Sequence, residues 1–323
     1  MPTLPPQSQT WKSDHAVLFV HGIGNAKPGD YAPLVDQLQS ILGSDANQIA
    51  FYFLYYDQIN EWFTTKTQAA RLITPFVQHI RSQLDASALS NVIADFAGDV
   101  IWPILIADAR QAVRAAVLQQ LEQIVLDGKK AGVQPRAQHL TVIAHSLGCF
   151  HVYEALSAAA ADSAQGLGPA SAGVVLDNLI FMASPVQLIS TAARAMGAAI
   201  PQSDTIFCVS HPLIIPSEPG DAGQPVLTAK QTVSITGNLD PVGGYFFREQ
   251  LPWAYMNLDG QRSFIDQEQI ASVSGNEQLT LQNILQSALQ NDGPPSITPD
   301  NPHDWSAYMR RHGADLKSWI LAS

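Results

Sequence analysis

The sequence predicts an α/β protein, a mostly parallel sheet covered by helices on both faces, and three observations predict it. Five short runs are apolar throughout rather than alternating, as strands buried on both faces of a parallel sheet require. Helical patterns lie between those runs, and strand alternating with helix favours βαβ units. The stretch LTVIAHSLGCFHVYEAL, Leu140 to Leu156, passes without a break from β-formers to helix-formers, with one serine at the corner.

Taken in order, the first strand is expected over Ala16–Val20 (AVLFV), followed by His21-Gly22-Ile23-Gly24 and a helix over Tyr31–Leu42. A second strand is expected over Ile49–Tyr55. The connection that follows, about 57–138, is too long for one crossover helix. It reads as a crossover helix with a helical cap inserted, including a helix over Ala109–Leu126. The third strand, Leu140–Ala144, leads into a helix expected over His151–Ala161. A fourth strand is expected over Val174–Met182.

A second insertion, 202–230, is rich in Pro and Gly and reads as an ordered loop with a short strand at Thr205–Val209. The fifth strand is expected over Thr232–Thr236. Asn291–Pro302 holds four prolines in twelve positions, which excludes a helix or a central strand there. A terminal helix is expected from about Ser306. The whole chain, 1–323, is read as one domain.

Bulk properties narrow the function classes. Of 323 residues, 46% are hydrophobic, enough for a large core, and the formal charge is −11 with no basic run. Such a chain has no means of tracking a phosphate backbone, so no nucleic-acid partner is expected. The two cysteines, Cys149 and Cys208, form no CxxC pair or metal-spaced cluster; a disulfide framework is excluded, a single bridge between them is not, and no metal site is expected. No basic segment followed by an apolar one opens the sequence, so a cytoplasmic location is expected. Val100–Ala107 is far shorter than the roughly 20 residues of a membrane span, and Pro103 interrupts it, so no integral span is expected.

Ser146 is the candidate nucleophile. A serine at the end of a buried strand, held in a strained turn with small residues two before and two after it, projects its hydroxyl above the sheet. Here the flanking positions are Ala144 and Gly148, giving A-H-S-L-G. Serine and glycine are also ordinary turn residues, so the pentapeptide does not decide alone. The glycine-flanked turn His21-Gly22-Ile23-Gly24 after the first strand supplies the second half of the pattern, since such a turn can aim a backbone N–H at a developing oxyanion.

With both motifs in this order, the chain from Ala16 to about His303 resembles the α/β-hydrolase superfamily, in particular its lipase-like and esterase-like serine hydrolases. The resemblance implies the α/β-hydrolase fold, Ser146 as nucleophile, and an oxyanion hole from the backbone amides of Ile23 and Leu147. It also implies the chain order Ser, acid, His. Asp240, in GNLDPVGGY after the fifth strand, stands at the position of the family's acid; read on its neighbours alone it also fits an Asx-type turn former. His303, in NPHDW just past the proline-rich loop, stands where the family's histidine comes. Among its competitors, His312 falls within the expected helix, His211 precedes Asp240, and His15, His79 and His139 precede the serine. His21, Gly22, Gly24 and His145 are expected to support the turn or line the pocket.

The expected activity is hydrolysis of carboxylic esters through an acyl-enzyme, with no cofactor. Apolar side chains of the cap, among them Trp62, Phe63 and Phe76, point to a small-molecule ester with an apolar acyl group as the partner, although such residues also form the buried faces of ordinary helices. A thioesterase or acyltransferase on the same fold, or a non-catalytic protein binding a hydrophobic ligand, are the alternatives.

Overall fold

The structure, a computed structural model, describes residues 4–22, 29, 32–66, 106–161, 175–186, 228–235, 255–256, 262–265 and 305–321. Within them the strands are β1 (His15–Val20), β2 (Ala50–Leu54), β3 (His139–His145), β4 (Val175–Met182), β5 (Thr228–Ile235), β6 (Tyr255–Met256) and β7 (Arg262–Ile265), arranged in the order β2-β1-β3-β4-β5-β7-β6. Neighbours from β2 to β7 are parallel, and β6 runs antiparallel to β7. The helices are α1 (Ala32–Leu42), α2 (Asp57–Lys66), α3 (Ala107–Lys130), α4 (Leu147–Ala161), α5 (Trp305–Arg311) and α6 (Gly313–Leu321).

Apolar character along β1 has a simple reason. Alternate side chains enter different cores: Ala16, Leu18 and Val20 join Phe63 of α2, Val113 and Leu121 of α3 and Phe150 of α4, while Val17 and Phe19 join Leu34 and Leu38 of α1, Tyr308 of α5 and Leu316 of α6. Helices therefore cover both faces, and neither face of β1 meets water. Each buried aliphatic or aromatic side chain contributes roughly 1.5–3 kcal/mol. In α1 the buried residues are Leu34, Leu38 and Leu42, one stripe at a spacing of four. The α/β layering and the mostly parallel sheet are as the sequence predicts.

Boundaries differ in four places. β5 starts at Thr228, four residues before its expected start, because Thr228 already pairs with Val175 of β4 and the ladder, not apolarity, fixes the end. The helix after the serine starts at Leu147 rather than His151. α3 spans Ala107–Lys130 and runs through Gly128, against which the side chain of Gln138 packs while its Nε2 donates to the carbonyl of Val125 (3.1 Å). The terminal helix is two helices, with His312 at the turn between them. Residues 67–105 of the expected cap, the insertion 202–227 with its expected strand at Thr205–Val209, and the loop 291–302 lie outside the described residues.

A strap before β1 lies across α3. The amide of Gln9 and the hydroxyl of Ser8 donate to the Asp127 carboxylate at 2.8 and 2.9 Å, and the amide of Gln7 donates to Gln120 Oε1 at 2.8 Å. Trp11 Nε1 donates to the Tyr52 hydroxyl (2.7 Å), which in turn donates to Asp127 (3.1 Å). Burial alone would raise the Asp127 pKa; the donors from Gln9, Ser8, Lys130 and Gln123 outweigh it and hold the carboxyl below its usual range. Among the described residues no helix is long and apolar enough to cross a membrane.

Candidate active site

At the carboxyl ends of β1, β3 and β4, three backbone segments converge on Ser146. The residue sits in the one-residue turn between β3 and α4, is buried, and adopts φ +52°. For a residue with a Cβ this left-handed conformation costs on the order of 1–2 kcal/mol, so the surroundings must hold it there. They do so from two sides: the Ser146 amide donates to the Met182 carbonyl at the end of β4 (2.9 Å), and the Ser146 carbonyl accepts from Cys149 in the first turn of α4 (3.0 Å). The Cys149 thiol reaches the carbonyls of Ala144 (3.3 Å) and Met182 (3.4 Å), joining strand ends and helix.

Close packing requires the small residues flanking the serine. A Cβ on Gly148 would collide with the carbonyl oxygens of Val20 and His21, so β1 passes α4 at backbone contact. Gly22 approaches from the same side; a Cβ there would lie 2.6 Å from the Ser146 Cβ and 3.2 Å from its Oγ. Leu147, buried, is the first residue of α4. The opening amides of a helix lack partners within it and carry the positive end of its dipole, so this terminus suits a developing negative charge.

The turn after β1 rests on a buried group that the sequence reading did not identify. Tyr56, just beyond β2, stacks on the His21 ring at 4.3 Å, and its hydroxyl lies 2.7 Å from the Gly22 carbonyl oxygen and 3.0 Å from that of His21. His21 Nδ1 is 2.6 Å from the same Gly22 oxygen. Desolvation pushes the His21 imidazole down to about 4, against the opposing effect of that hydrogen bond, so the ring is neutral at pH 7 and donates from Nδ1. Its Nε2 lies 3.4 Å from Asp57 Oδ2, a contact with a neutral ring rather than an ion pair. His151 of α4 meets the Tyr56 ring at 4.6 Å, edge-on; burial, with the nearby His21 adding to it, pushes its imidazole down to about 3. The available signal was position: a tyrosine and an acid at a strand's carboxyl end, and a histidine one helical turn past the serine.

His145 ends β3, is buried, and meets the ring of Tyr308 in α5 at 6.2 Å. His15 and His139 pair at the opposite end of β1 and β3, ring to ring at 4.7 Å, far from the serine along the strands. Buried His312 lies 3.2 Å from Asp315. Of the other expected site residues, Ile23, Gly24, Asp240 and His303 lie outside the described residues. Among the described residues no group of three or more His, Cys, Asp or Glu side chains could hold a metal ion. No protein-family model, curated protein or solved structure matches the chain.

Proposed function

We propose that the chain is a serine hydrolase of the α/β-hydrolase kind that cleaves carboxylic esters with an apolar acyl group. The observation that carries this reading is Ser146 itself: a non-glycine residue held at φ +52° between a buried parallel strand and a helix N-terminus, with a glycine turn packed against its side chain. Strain of this kind persists where function requires a residue to project from the fold.

In the proposed reaction His303, oriented by Asp240, takes the Ser146 hydroxyl proton as Oγ bonds to the ester carbonyl carbon. The negative charge on the former carbonyl oxygen is met by the amides of Leu147 and Ile23. Collapse breaks the bond to the alcohol oxygen, which receives the proton from His303, and leaves the acyl group on Ser146. Water, deprotonated by His303, then releases the acid and restores the serine.

Two chain positions support the placing of the partners. Ile235, the last residue of β5, accepts from the amide of Ala183 beside the serine turn, and Asp240 follows it by 240 − 235 = 5 residues. Tyr308 lies against His145 and follows His303 by 308 − 303 = 5 residues. Five residues reach at most about 17 Å. Both side chains are thus within chain reach of the serine's end of the sheet.

Intact-mass analysis after treatment with a fluorophosphonate tests the reading. One adduct per wild-type chain, absent in Ser146→Ala and formed much more slowly in Asp240→Asn and His303→Ala, is the expected result. A folded wild type that takes no adduct, with and without detergent, refutes it. p-Nitrophenyl esters of graded chain length then define the acyl group.

A further inference from the structure

Hydrogen bonds form a closed circuit around the backbone of Ser146, and one side chain completes it. The Ser146 amide donates to the Met182 carbonyl (2.9 Å), and the Ser146 carbonyl accepts from the Cys149 amide (3.0 Å). The Cys149 thiol lies 3.4 Å from the same Met182 oxygen and 3.3 Å from that of Ala144, the small residue before His145. A carbonyl oxygen has two lone pairs, so Met182 can serve Ser146 and Cys149 together. The thiol has one proton to give, and either acceptor ties the first turn of α4 to a strand end beside the serine, β3 through Ala144 or β4 through Met182. Cys149 is fully buried, so bulk water does not compete for these carbonyls.

The strain of a non-glycine residue at φ +52° is similar in size to the net worth of one hydrogen bond. No single contact therefore holds Ser146 with much to spare, and each member of the circuit matters. A change in φ swings Cβ, and Oγ with it, about the N–Cα bond. On this basis we infer that Cys149 is a positioning residue for the nucleophile: its thiol locks the Ser146 backbone so that Oγ is held, before substrate arrives, in line for attack on the ester carbonyl. The inference rests on the serine-hydrolase reading. Small displacements of a reacting atom cost far more in rate than in stability, because the near-attack geometry is narrow. The sulfur takes no part in making or breaking bonds; it acts through the carbonyls of Ala144 and Met182.

The test compares Cys149→Ala with Cys149→Ser in the full chain. Alanine removes the donor, and serine restores one that can bond a carbonyl of the preceding turn. The second-order rate constant for fluorophosphonate labelling, measured well below the melting temperature, is expected to fall roughly 3–10-fold in Cys149→Ala, as the loss of one hydrogen bond allows. In Cys149→Ser it should return to within about twofold of the wild type. With a p-nitrophenyl ester the fall should lie in kcat, with KM within about twofold and the midpoint of the pH profile unchanged. A folded Cys149→Ala that labels at the wild-type rate, equal slowing in both variants, a shifted midpoint, or a loss carried by KM overturns the inference. A thiol that only fills space would lower the urea midpoint and leave the labelling of the folded chain as it was. If Cys149→Ala does not fold, Cys149→Thr and Cys149→Val, alike in shape and different in the hydroxyl, are compared instead; faster labelling of the threonine variant upholds the lock and equal rates overturn it. Wild-type labelling separates the two levels. A labelled wild type with a fully active Cys149→Ala refutes the lock and leaves the hydrolase reading standing, while an unlabelled wild type refutes both.

Discussion

Gly22 and Ser146 touch across the carboxyl ends of β1 and β3: a Cβ on the glycine would lie 2.6 Å from the serine Cβ, closer than side chains tolerate. The two residues are 146 − 22 = 124 positions apart, so the contact exists only because β1 and β3 are neighbours in the sheet. It places the backbone of one turn within reach of the hydroxyl of the other.

Gly22→Ala is therefore expected to push the two turns apart. Overpacking costs about 1–3 kcal/mol, read as a lower urea midpoint, and fluorophosphonate labelling should slow by at least tenfold if this turn supplies an oxyanion donor as proposed. Unchanged labelling in the folded variant contradicts this placement.

Ser146 and Ala183 are both non-glycine residues at positive φ, +52° and +54°. Glycine adopts that region without the Cβ penalty. Ala183→Gly is expected to raise the unfolding free energy by about 0.5–1 kcal/mol and leave labelling intact. Ser146→Gly is expected to relieve its strain similarly and, on the proposed serine-hydrolase reading, to end all labelling. Both are read from urea unfolding beside the wild type.

Glu154 of α4 is buried, with Oε1 3.6 Å from Arg110 Nε and 3.6 Å from the Arg114 guanidinium. Desolvation outweighs both arginines and pushes its carboxyl up to about 7 from 4.5. The folded chain then binds this proton more tightly than the unfolded chain, so Glu154 weakens the fold progressively as pH rises from about 4.5 to 7. Glu154→Gln should gain on the wild type between pH 5 and pH 8, by an amount on the order of a few kcal/mol. A difference in stability that does not change with pH rules this out.

His21 and His151 act in the opposite direction. Their folded values, about 4 and about 3, lie below the ordinary 6.5, so the unfolded chain takes up protons that the folded chain refuses. Stability falls as pH drops from about 6.5 toward 4 and then 3. His151→Gln, which cannot titrate, should make that acid-side decline shallower in thermal melts taken across the range.

Asp127→Asn probes the strap. The carboxylate accepts from Ser8, Gln9 and Tyr52, and an amide cannot accept on both arms. A loss of about 1–3 kcal/mol at pH 7 is expected, shrinking as pH falls through the depressed carboxyl value, because the wild type loses the same charge there. Faster proteolysis within residues 4–11 would report release of the strap.

How much of this was legible depended on how local the cause is. β1 and β3 were legible because burial on both faces leaves runs that are almost wholly apolar, with Thr141 the one polar residue inside AVLFV and LTVIA. The serine turn was legible because small residues at Ala144 and Gly148 are a local demand of a close strand and helix crossing. Thr228–Gln231 was missed because TAKQ carries no strand signal of its own and is recruited by pairing with β4. The start of α4 was placed late because glycine at 148 argues against helix until the backbone of β1 is brought against it. Tyr56 and His151 could not be assigned, since their meaning lies in ring contacts between distant positions, Tyr56 with His21 (56 − 21 = 35 residues) and His151 with Tyr56 (151 − 56 = 95 residues).

The order β2-β1-β3 also has a consequence in time. β1 is an interior strand, yet both its partners come later: Ala16 pairs with Ala50, 50 − 16 = 34 residues on, and with Leu140, 140 − 16 = 124 residues on. At translation rates of about 5–20 residues per second, its second edge waits roughly 6–25 s after emerging. During that interval an apolar strand edge is open to other chains, and the pairing that eventually closes it is the slow, non-local kind. The step that brings Gly22 to Ser146 is therefore the same step that closes the second edge of β1.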